Sequence, residues 1–302
     1  MTPKYSLKPL AAKPESYPGF SEKIVASHYA NNYAGAVKRL NAIDARLVAL
    51  APDAPGFEVN GLKREEQSAY NSMLLHEIYF EALAPATRLP ADLAAAIDAD
   101  FGSFENWKSR FVGCAKALAG GSGWVVLVRE NRGGRLAIQW GSDHSMGFAG
   151  ATPVLALDMY EHAYHQDYGA NAAAYVDAFM ATIDWTCAAR RWRGEAARKN
   201  PHAVALDALD GFAGVFVDAR RGPAFDAAPD TLPGAVRVDP AAPDGAKAGL
   251  AKEKPVVVYC VYGFSFSQDT AASLRQQGYD ARYLDTGIVG WRTMGLPVAA
   301  KG

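Results

Sequence analysis

Asp158 and His162 stand four residues apart in Leu157-Asp-Met-Tyr-Glu-His-Ala163. If a strand ends at Asp158 and a helical turn follows, carboxylate and imidazole converge on one point. That donor pair suits iron, manganese or zinc. Alone, it reads more often as a surface contact or a helix cap. Two more of the six histidines change the weighting. His28 shares a four-residue stripe with Ile24, Asn32, Ala36 and Leu40, and His76 is flanked by Leu74, Leu75, Ile78 and Tyr79. Either one alone reads as a buried, hydrogen-bonded core histidine. Three histidines on helices able to pair as a hairpin and face the Asp–His unit point instead to a metal. A second kind of chemistry is suggested by Val256-Val-Val-Tyr-Cys-Val-Tyr-Gly-Phe-Ser-Phe-Ser267, a strand running through Cys260 into a loop and a helix. Backbone N–H groups and a helix N-terminus stabilise a thiolate there, although a buried structural cysteine is the commoner case.

The elements that must position these groups follow from periodicity and punctuation. Ser21 to Ala51 is expected as one long helix with Ser21 as N-cap. Pro52–Gly61 breaks it, and a second helix is expected from about Lys63 to Leu83. Helices at Ala91–Asp98, opened by Pro90, and at Ser103–Leu118 come next. Trp124–Val128 and Leu136–Trp140 read as a hairpin turning at Arg132-Gly-Gly134, with a third strand at Val154–Leu157. Tyr160–Tyr168 and Ala172–Arg191 return to helix. The polar stretch Arg193–Pro201 is the expected domain boundary. Beyond it, strands at Val215–Asp218 and Pro255–Tyr259 alternate with helical patterns such as Gln268–Gln277, and Pro240–Ala248 is expected to be a loop. The fold class is therefore α+β followed by a small α/β domain with a largely parallel sheet.

Composition narrows the function. The 302 residues suffice for two domains, half are hydrophobic, and 31 Lys and Arg against 32 Asp and Glu leave no electrostatic case for nucleic acid. The longest apolar runs are too short to span a bilayer, so no membrane partner is expected. No signal peptide is visible. Three widely separated cysteines, Cys114, Cys187 and Cys260, make a disulfide framework unexpected and a cytoplasmic location the default. Cys114 and Cys187 are expected to be packing residues on helices.

His28 followed by Leu40-Asn41, Asn71-x4-His76-x3-Phe80, Gly121-Ser-Gly-Trp124 and Asp158-x2-Glu-His-Ala-Tyr164 together resemble the successive signatures of iron/manganese superoxide dismutases, over residues 5–192. The resemblance implies an N-terminal helical hairpin (residues 1–88) and an α/β domain (89–197). It also implies one iron or manganese per subunit on His28, His76, Asp158 and His162, and antioxidant dismutation of superoxide. Glu161 resembles the glutamate that bonds the partner subunit's ligand, which implies a homodimer. The family's outer donor to coordinated solvent is a glutamine or histidine. Ser72 is too short for that role, so His144 is expected to fill it. Trp124, with Trp140 and Trp185, is expected to form the apolar wall beside Tyr164.

This chain departs from the family on the site-facing stripe of the first helix. It carries Asn32 and Ala36 where a histidine and a tyrosine are usual, and His165 follows Tyr164 where a second tyrosine is usual. An Asn32–His165 contact across the dimer is expected to replace the lost pair. Nothing is expected to substitute for the tyrosine missing at Ala36, because Tyr29 and Tyr33 fall on an adjacent α-helical stripe.

Phe216-Val-Asp-Ala-Arg220, Leu232-Pro-Gly-Ala-Val236, Val258-Tyr-Cys-x2-Gly263 and Gly278-Tyr279 through Trp291 to Val298 resemble the rhodanese family over residues 207–300, which implies a rhodanese-like domain at 207–302. The resemblance implies a persulfide on Cys260 that exchanges sulfur with donor and acceptor thiols, within a loop of Tyr262, Gly263, Phe264 and Ser265. Asp218 and Arg220 match a motif of structural character. The loop contains no Arg or Lys, which favours a neutral or thiol-borne donor over thiosulfate. Two readings follow: a dismutase with a fused sulfurtransferase, or a sulfurtransferase whose dismutase-like part is a metal-binding dimerisation scaffold of low activity. A non-enzymatic sensor has no positive support.

Overall fold

The computed structural model describes residues 4–147, 149–197, 200–241 and 250–301. These form two compact units, residues 11–197 and residues 4–10 with 200–301. Residues 4–10, expected with the helical hairpin, thus belong to the second unit, where Ser6 Oγ donates to Asp207.

In the first unit, α1 (Glu22–Ser27) starts as expected: the Ile24 N–H donates to Ser21 Oγ at 3.2 Å. The helix is not continuous α-helix, however. His28–Tyr33 is a π turn, and α2 (Ala34–Val48) follows. The return helix α3 (Gly56–Ala82) is longer than expected, beginning directly after Pro55. Gly61 lies inside it and costs about 1 kcal/mol relative to alanine. The Lys63–Glu66 pair within α3 and the Arg39–Glu65 pair to α2 support this exposed end. Tyr33 meets Glu77 while Arg39 meets Glu65, so the two long helices run antiparallel.

α4 (Ala91–Phe101) and α5 (Phe104–Ala117) lead to a three-stranded antiparallel sheet, β1 (Trp124–Glu130), β2 (Leu136–Gly141) and β3 (Ala151–Asp158), with β1 in the middle. The expected helix over Tyr160–Tyr168 is instead a 3-10 turn at Glu161–Ala163 and a single turn, α6 (His165–Tyr168). The expected helix over Ala172–Arg191 is split into α7 (Ala172–Ala181) and α8 (Trp185–Arg193). The split has a cause. Residues 182–184 leave the helical path and pair with the end of α3, the Asp184 N–H donating to Ala82 O and the Ala84 N–H to Thr182 O.

In the second unit, β4 (Ala203–Val204), β5 (Val215–Asp218), α9 (Gly222–Asp226), β6 (Asp230–Thr231), β7 (Val236–Arg237), β8 (Val256–Tyr259), α10 (Ser265–Gln276), β9 (Ala281–Leu284), α11 (Gly287–Thr293) and β10 (Ala299–Ala300) follow in order. β4-β9-β8-β5-β7 form a parallel sheet, and β6 pairs with β10 antiparallel. Along β8, Val256 and Val258 enter one apolar cluster and Val257 and Tyr259 the opposite one. Burial on both faces explains why this strand reads as an unbroken apolar run. The loop expected at Pro240–Ala248 lies mostly outside the described residues.

Candidate functional site

The register of the first sheet sets the metal-site geometry. Trp124 is paired with Asp158 on one side and Gly141 on the other. The ligand carboxylate, the indole and the loop carrying His144 therefore start from one level of the sheet. Gly123 is required there, at φ +145°, because a Cβ would lie 2.2 Å from the Gly141 carbonyl oxygen.

Onto this edge the hairpin lowers His28 and His76. One donor atom from each of His28, His76, Asp158 and His162 falls within 4.8 Å of the others. The three Nε2 atoms lie 3.1, 3.5 and 3.3 Å from Asp158 Oδ2. Ligands bonded at about 2.0–2.2 Å and set 90–120° apart around one ion have donor separations of about 3–4 Å. His76 gives the most direct sign of a missing partner. Its Nδ1 lies 2.6 Å from the Ser72 carbonyl, which can only accept, so Nδ1 carries the proton. Nε2 is then a lone pair, buried and without a hydrogen-bond partner among the described residues. Burial, reinforced by the charge of His28, pushes the His76 pKa down to about 3, and burial also lowers that of His28. Neutral imidazole is the state that ligates. Burial alone would raise the Asp158 carboxyl, but the bonds and charges of His162 and His28 carry it well below the carboxylate range. The other carboxylate oxygen accepts from the Tyr160 N–H at 2.9 Å, and the Asp158 carbonyl accepts from the Tyr175 hydroxyl at 2.6 Å. The donor set is anchored and fits iron or manganese.

His144 is half-buried, with its ring 6.3 Å from that of His76. The Trp124 Nε1–H donates to His144 Nδ1 at 2.9 Å, which leaves Nε2 to carry the imidazole proton. Ser72 contributes its carbonyl to His76 rather than reaching further inward. Trp124 packs edge-on against His76 at 5.1 Å, but the other two expected wall residues lie elsewhere. Trp140 is 57% exposed, and Trp185 packs against Trp107 and Phe104.

The π turn corrects the expectation for Tyr33. Its i to i+5 hydrogen bonds wind the chain more loosely than an α-helix, so a residue that the regular helical stripe would exclude comes to lie against the site. That residue is Tyr33. Its ring stacks on His76 at 6.2 Å and its hydroxyl donates to Glu77 Oε1 at 3.2 Å. Ala36 is buried and Asn32 half-buried. Tyr164 is buried and stacks on Tyr175, whereas Glu161 and His165 are exposed on this single chain. Sequence reasoning also missed Tyr160, whose ring lies parallel to His144 at 4.6 Å and to His162 at 5.5 Å. Its burial, with the Asp143 charge adding, raises its pKa to about 12.

Cys260 directly follows β8, a central strand, at the carboxyl end of the parallel sheet where such folds build sites. It is 4% exposed, with Sγ 3.2 Å from Ser267 Oγ and 3.7 Å from the Phe264 carbonyl. The following loop is half-buried at Tyr262, Phe264 and Ser265 and buried at Gly263. Backbone contacts clamp it to the start of α11. The Ile288 N–H donates to Cys260 O at 2.9 Å and the Val289 N–H to Val261 O at 3.0 Å. Gly287, at φ +57°, permits this approach, since a Cβ would meet Val261 O at 2.4 Å. Beside this clamp sits Asp285, one of whose carboxylate oxygens is buried without a hydrogen-bond partner among the described residues. Burial, with the Asp207 charge adding, pushes its pKa up to about 7. A cation does approach the loop region from outside it: the Arg221 guanidinium lies 5.5 Å over the Phe266 ring. Arg220 grips Asp218 in a fully buried pair that also takes the Tyr259 hydroxyl, a structural cross-link between β5 and β8. Cys114 and Cys187 are only partly buried, and the Cys187 thiol donates to Asp184.

The profile of the C-terminal domain of iron/manganese superoxide dismutases matches residues 89–191, and that of the rhodanese-like domain matches residues 202–294. An iron superoxide dismutase of Cupriavidus metallidurans is 58% identical over 189 residues, covering 62% of this chain and 96% of that protein. A manganese superoxide dismutase of Halobacterium salinarum is 30% identical, over 65% of this chain and 98% of the relative. An iron enzyme of Sulfolobus acidocaldarius is 33% identical, over 58% and 86%. Each of these relatives matches less than two thirds of this chain, and the rhodanese-like profile lies wholly beyond the dismutase profile. The chain belongs to the iron/manganese superoxide dismutase family and carries a rhodanese-like domain after it.

Proposed function

We propose that the first unit is a superoxide dismutase holding one iron or manganese on His28, His76, Asp158 and His162. The observation that carries this reading is the buried, lone-pair-bearing Nε2 of His76 aimed into a ring of three other donors. When bound, the metal supplies one-electron redox chemistry, taking an electron from one superoxide and giving it to another; with two protons the products are dioxygen and hydrogen peroxide. The surrounding residues do the rest. Asp158 supplies a compensating negative charge, the Tyr160 N–H on its Oδ1 fixes its rotamer, and the Tyr175 hydroxyl holds its backbone carbonyl. His144, its Nδ1 occupied by Trp124, offers an Nε2 proton to solvent in the site. Tyr33, held by Glu77, closes the side beside His76. The scaffold reading drew its support from Ala36, Asn32 and His165, and the phenol ring of Tyr33 beside His76 weighs against the first of these.

The second unit is proposed to transfer sulfur through Cys260. The thiolate attacks the terminal sulfur of a persulfide R–S–SH, the donor's S–S bond breaks and R–S⁻ leaves. Cys260–S–SH then passes that sulfur to an acceptor thiolate. Arg221 gives an anionic donor a contact that the loop itself does not provide. Assembly as a homodimer through the Glu161 and His165 face, with Asn32 opposite His165, is part of the same proposal. The three free cysteines favour a reducing cytoplasm. No helix among the described residues is long and apolar enough to cross a membrane.

Metal analysis with superoxide assay, on protein grown with iron or with manganese, tests the first part. Near-stoichiometric metal with activity in at least one form is expected. Protein without metal would overturn the four-ligand site, and full metal without activity would return the case to the scaffold reading.

A further inference from the structure

His144 stands on an unusual support for a residue that must hold one orientation. The backbone of its loop is tied to α3, Asn71 donating to the His144 carbonyl at 2.8 Å and Gln67 to the Ser145 carbonyl at 3.0 Å. Ser142, Asp143, Ser145, Met146 and Gly147 are nevertheless all exposed, so no wall of core side chains encloses the imidazole. Two neighbours orient it. Trp124 meets one ring nitrogen in the ring plane. Tyr160 covers a ring face at 4.6 Å with only 11° between planes.

Tyr160 also lies against a ligand of the donor cluster. Its ring lies 17° from the plane of His162 at 5.5 Å, and His162 lies 19° from the plane of His76 at 5.9 Å. His144, Tyr160, His162 and His76 thus form a closed group of four rings, His144 itself lying 6.3 Å from His76 at 41°. The Tyr160 backbone is fixed by the same cluster, its N–H donating to Asp158 Oδ1. A single in-plane hydrogen bond leaves a ring free to hinge about it, whereas a stacked aromatic face removes that freedom.

We propose that Tyr160 is a positioning residue that acts through His144, clamping the imidazole by stacking so that its Nε2 faces the donor cluster. This rests on the dismutase reading for its purpose, but the clamp itself is a property of the protein with or without metal. The hydroxyl also meets the His144 backbone, but the proposal gives the orienting role to the planar face over the imidazole, so Tyr160→Phe retains the clamp and Tyr160→Leu loses it.

The exchange of the assigned Trp124 indole N–H, followed by NMR on the full chain, reads the clamp directly, because that proton is held by His144 Nδ1. In Tyr160→Leu its exchange should accelerate about fivefold or more, approaching the rate in His144→Ala, while Tyr160→Phe matches the unsubstituted protein. Should Tyr160→Leu fail to fold, Tyr160→Met, which is similar in bulk but not planar, takes its place with the same expectation. Unchanged protection in the non-aromatic variant overturns the proposal. In the metal-loaded protein, adding Tyr160→Leu to His144→Ala should lower the dismutation rate no further. Additive losses would also overturn it. Metal content measured on the same samples separates failure of the clamp from failure of the four-ligand site.

Discussion

The two candidate centres are built in opposite ways. The metal centre gathers side chains from the π turn, α3, the end of β3 and the turn after it, spanning residues 28 to 162, and buries their polar atoms before any ion arrives. The Cys260 centre is contiguous, a strand, a loop and a helix within Val256–Gln276, held by backbone contacts to the start of α11. The first depends on tertiary packing to bring its donors together and leaves His76 Nε2 without a partner until a ligand binds. The second needs only local geometry around one thiol. Changes at the metal centre should therefore act on both occupancy and chemistry, while changes at the thiol loop should act on chemistry alone.

The sharpest test of that contrast removes the shared carboxylate. Asp158→Ala should cost more than the 10–100-fold typical of outer-sphere changes in metal affinity, with dismutation falling in parallel, as read by metal analysis and superoxide assay. Sulfur transfer should persist in the same protein; its loss would break the comparison. The reciprocal change, Cys260→Ser, should abolish sulfur transfer, and with it the mass increase of one sulfur atom after incubation with a persulfide donor. Metal content and dismutation should not change.

Smaller effects sharpen the comparison within each centre. Trp124→Phe keeps the ring against His76 but removes the bond to His144 Nδ1. It should slow dismutation by about fivefold, equivalent to about 1 kcal/mol, at full metal content. In the second unit, Asp285 supplies a pH signature. Its carboxyl has a native pKa of about 7 against the usual 3.8, so between those values the native state binds the proton more tightly than the unfolded state does. The unit should therefore lose stability as pH rises from about 4 towards 7. Asp285→Asn should flatten that slope, as measured by the urea midpoint of the second unit across the range. A midpoint whose pH dependence is the same in the variant would show that Asp285 carries no such cost.

How much of this was legible in the sequence depended on where the determining forces lie. The second sheet's central strand was readable because burial on both faces leaves an apolar run, and the Ser21 cap because its bond is local. The split at residues 182–184 was not, since its cause is pairing with Ala82 and Ala84 a hundred residues away. The extra length of α3 was hidden by Gly61 and Pro55, both discouraging by propensity. In the site, histidines and an aspartate announce themselves by type and scarcity. Tyr160 did not, because an aromatic beside an apolar strand end is indistinguishable from core until its neighbours are known. Arg221 escaped notice because it lies outside the loop it approaches.

The π turn at His28–Tyr33 amounts to one residue of slack wound into a helix, a phase shift stored in six residues. An α-helix turns about 100° per residue, so removing one residue here would restore regular winding. His28 or Tyr33 would then rotate off the common face, though every side chain named as a ligand would still be present. Counting by fours from His28 arrives at Asn32 and Ala36, whereas the phenol stacked on His76 belongs to Tyr33. The centre's identity thus resides partly in a spacing, and it can be lost by deletion where no residue of the centre is touched.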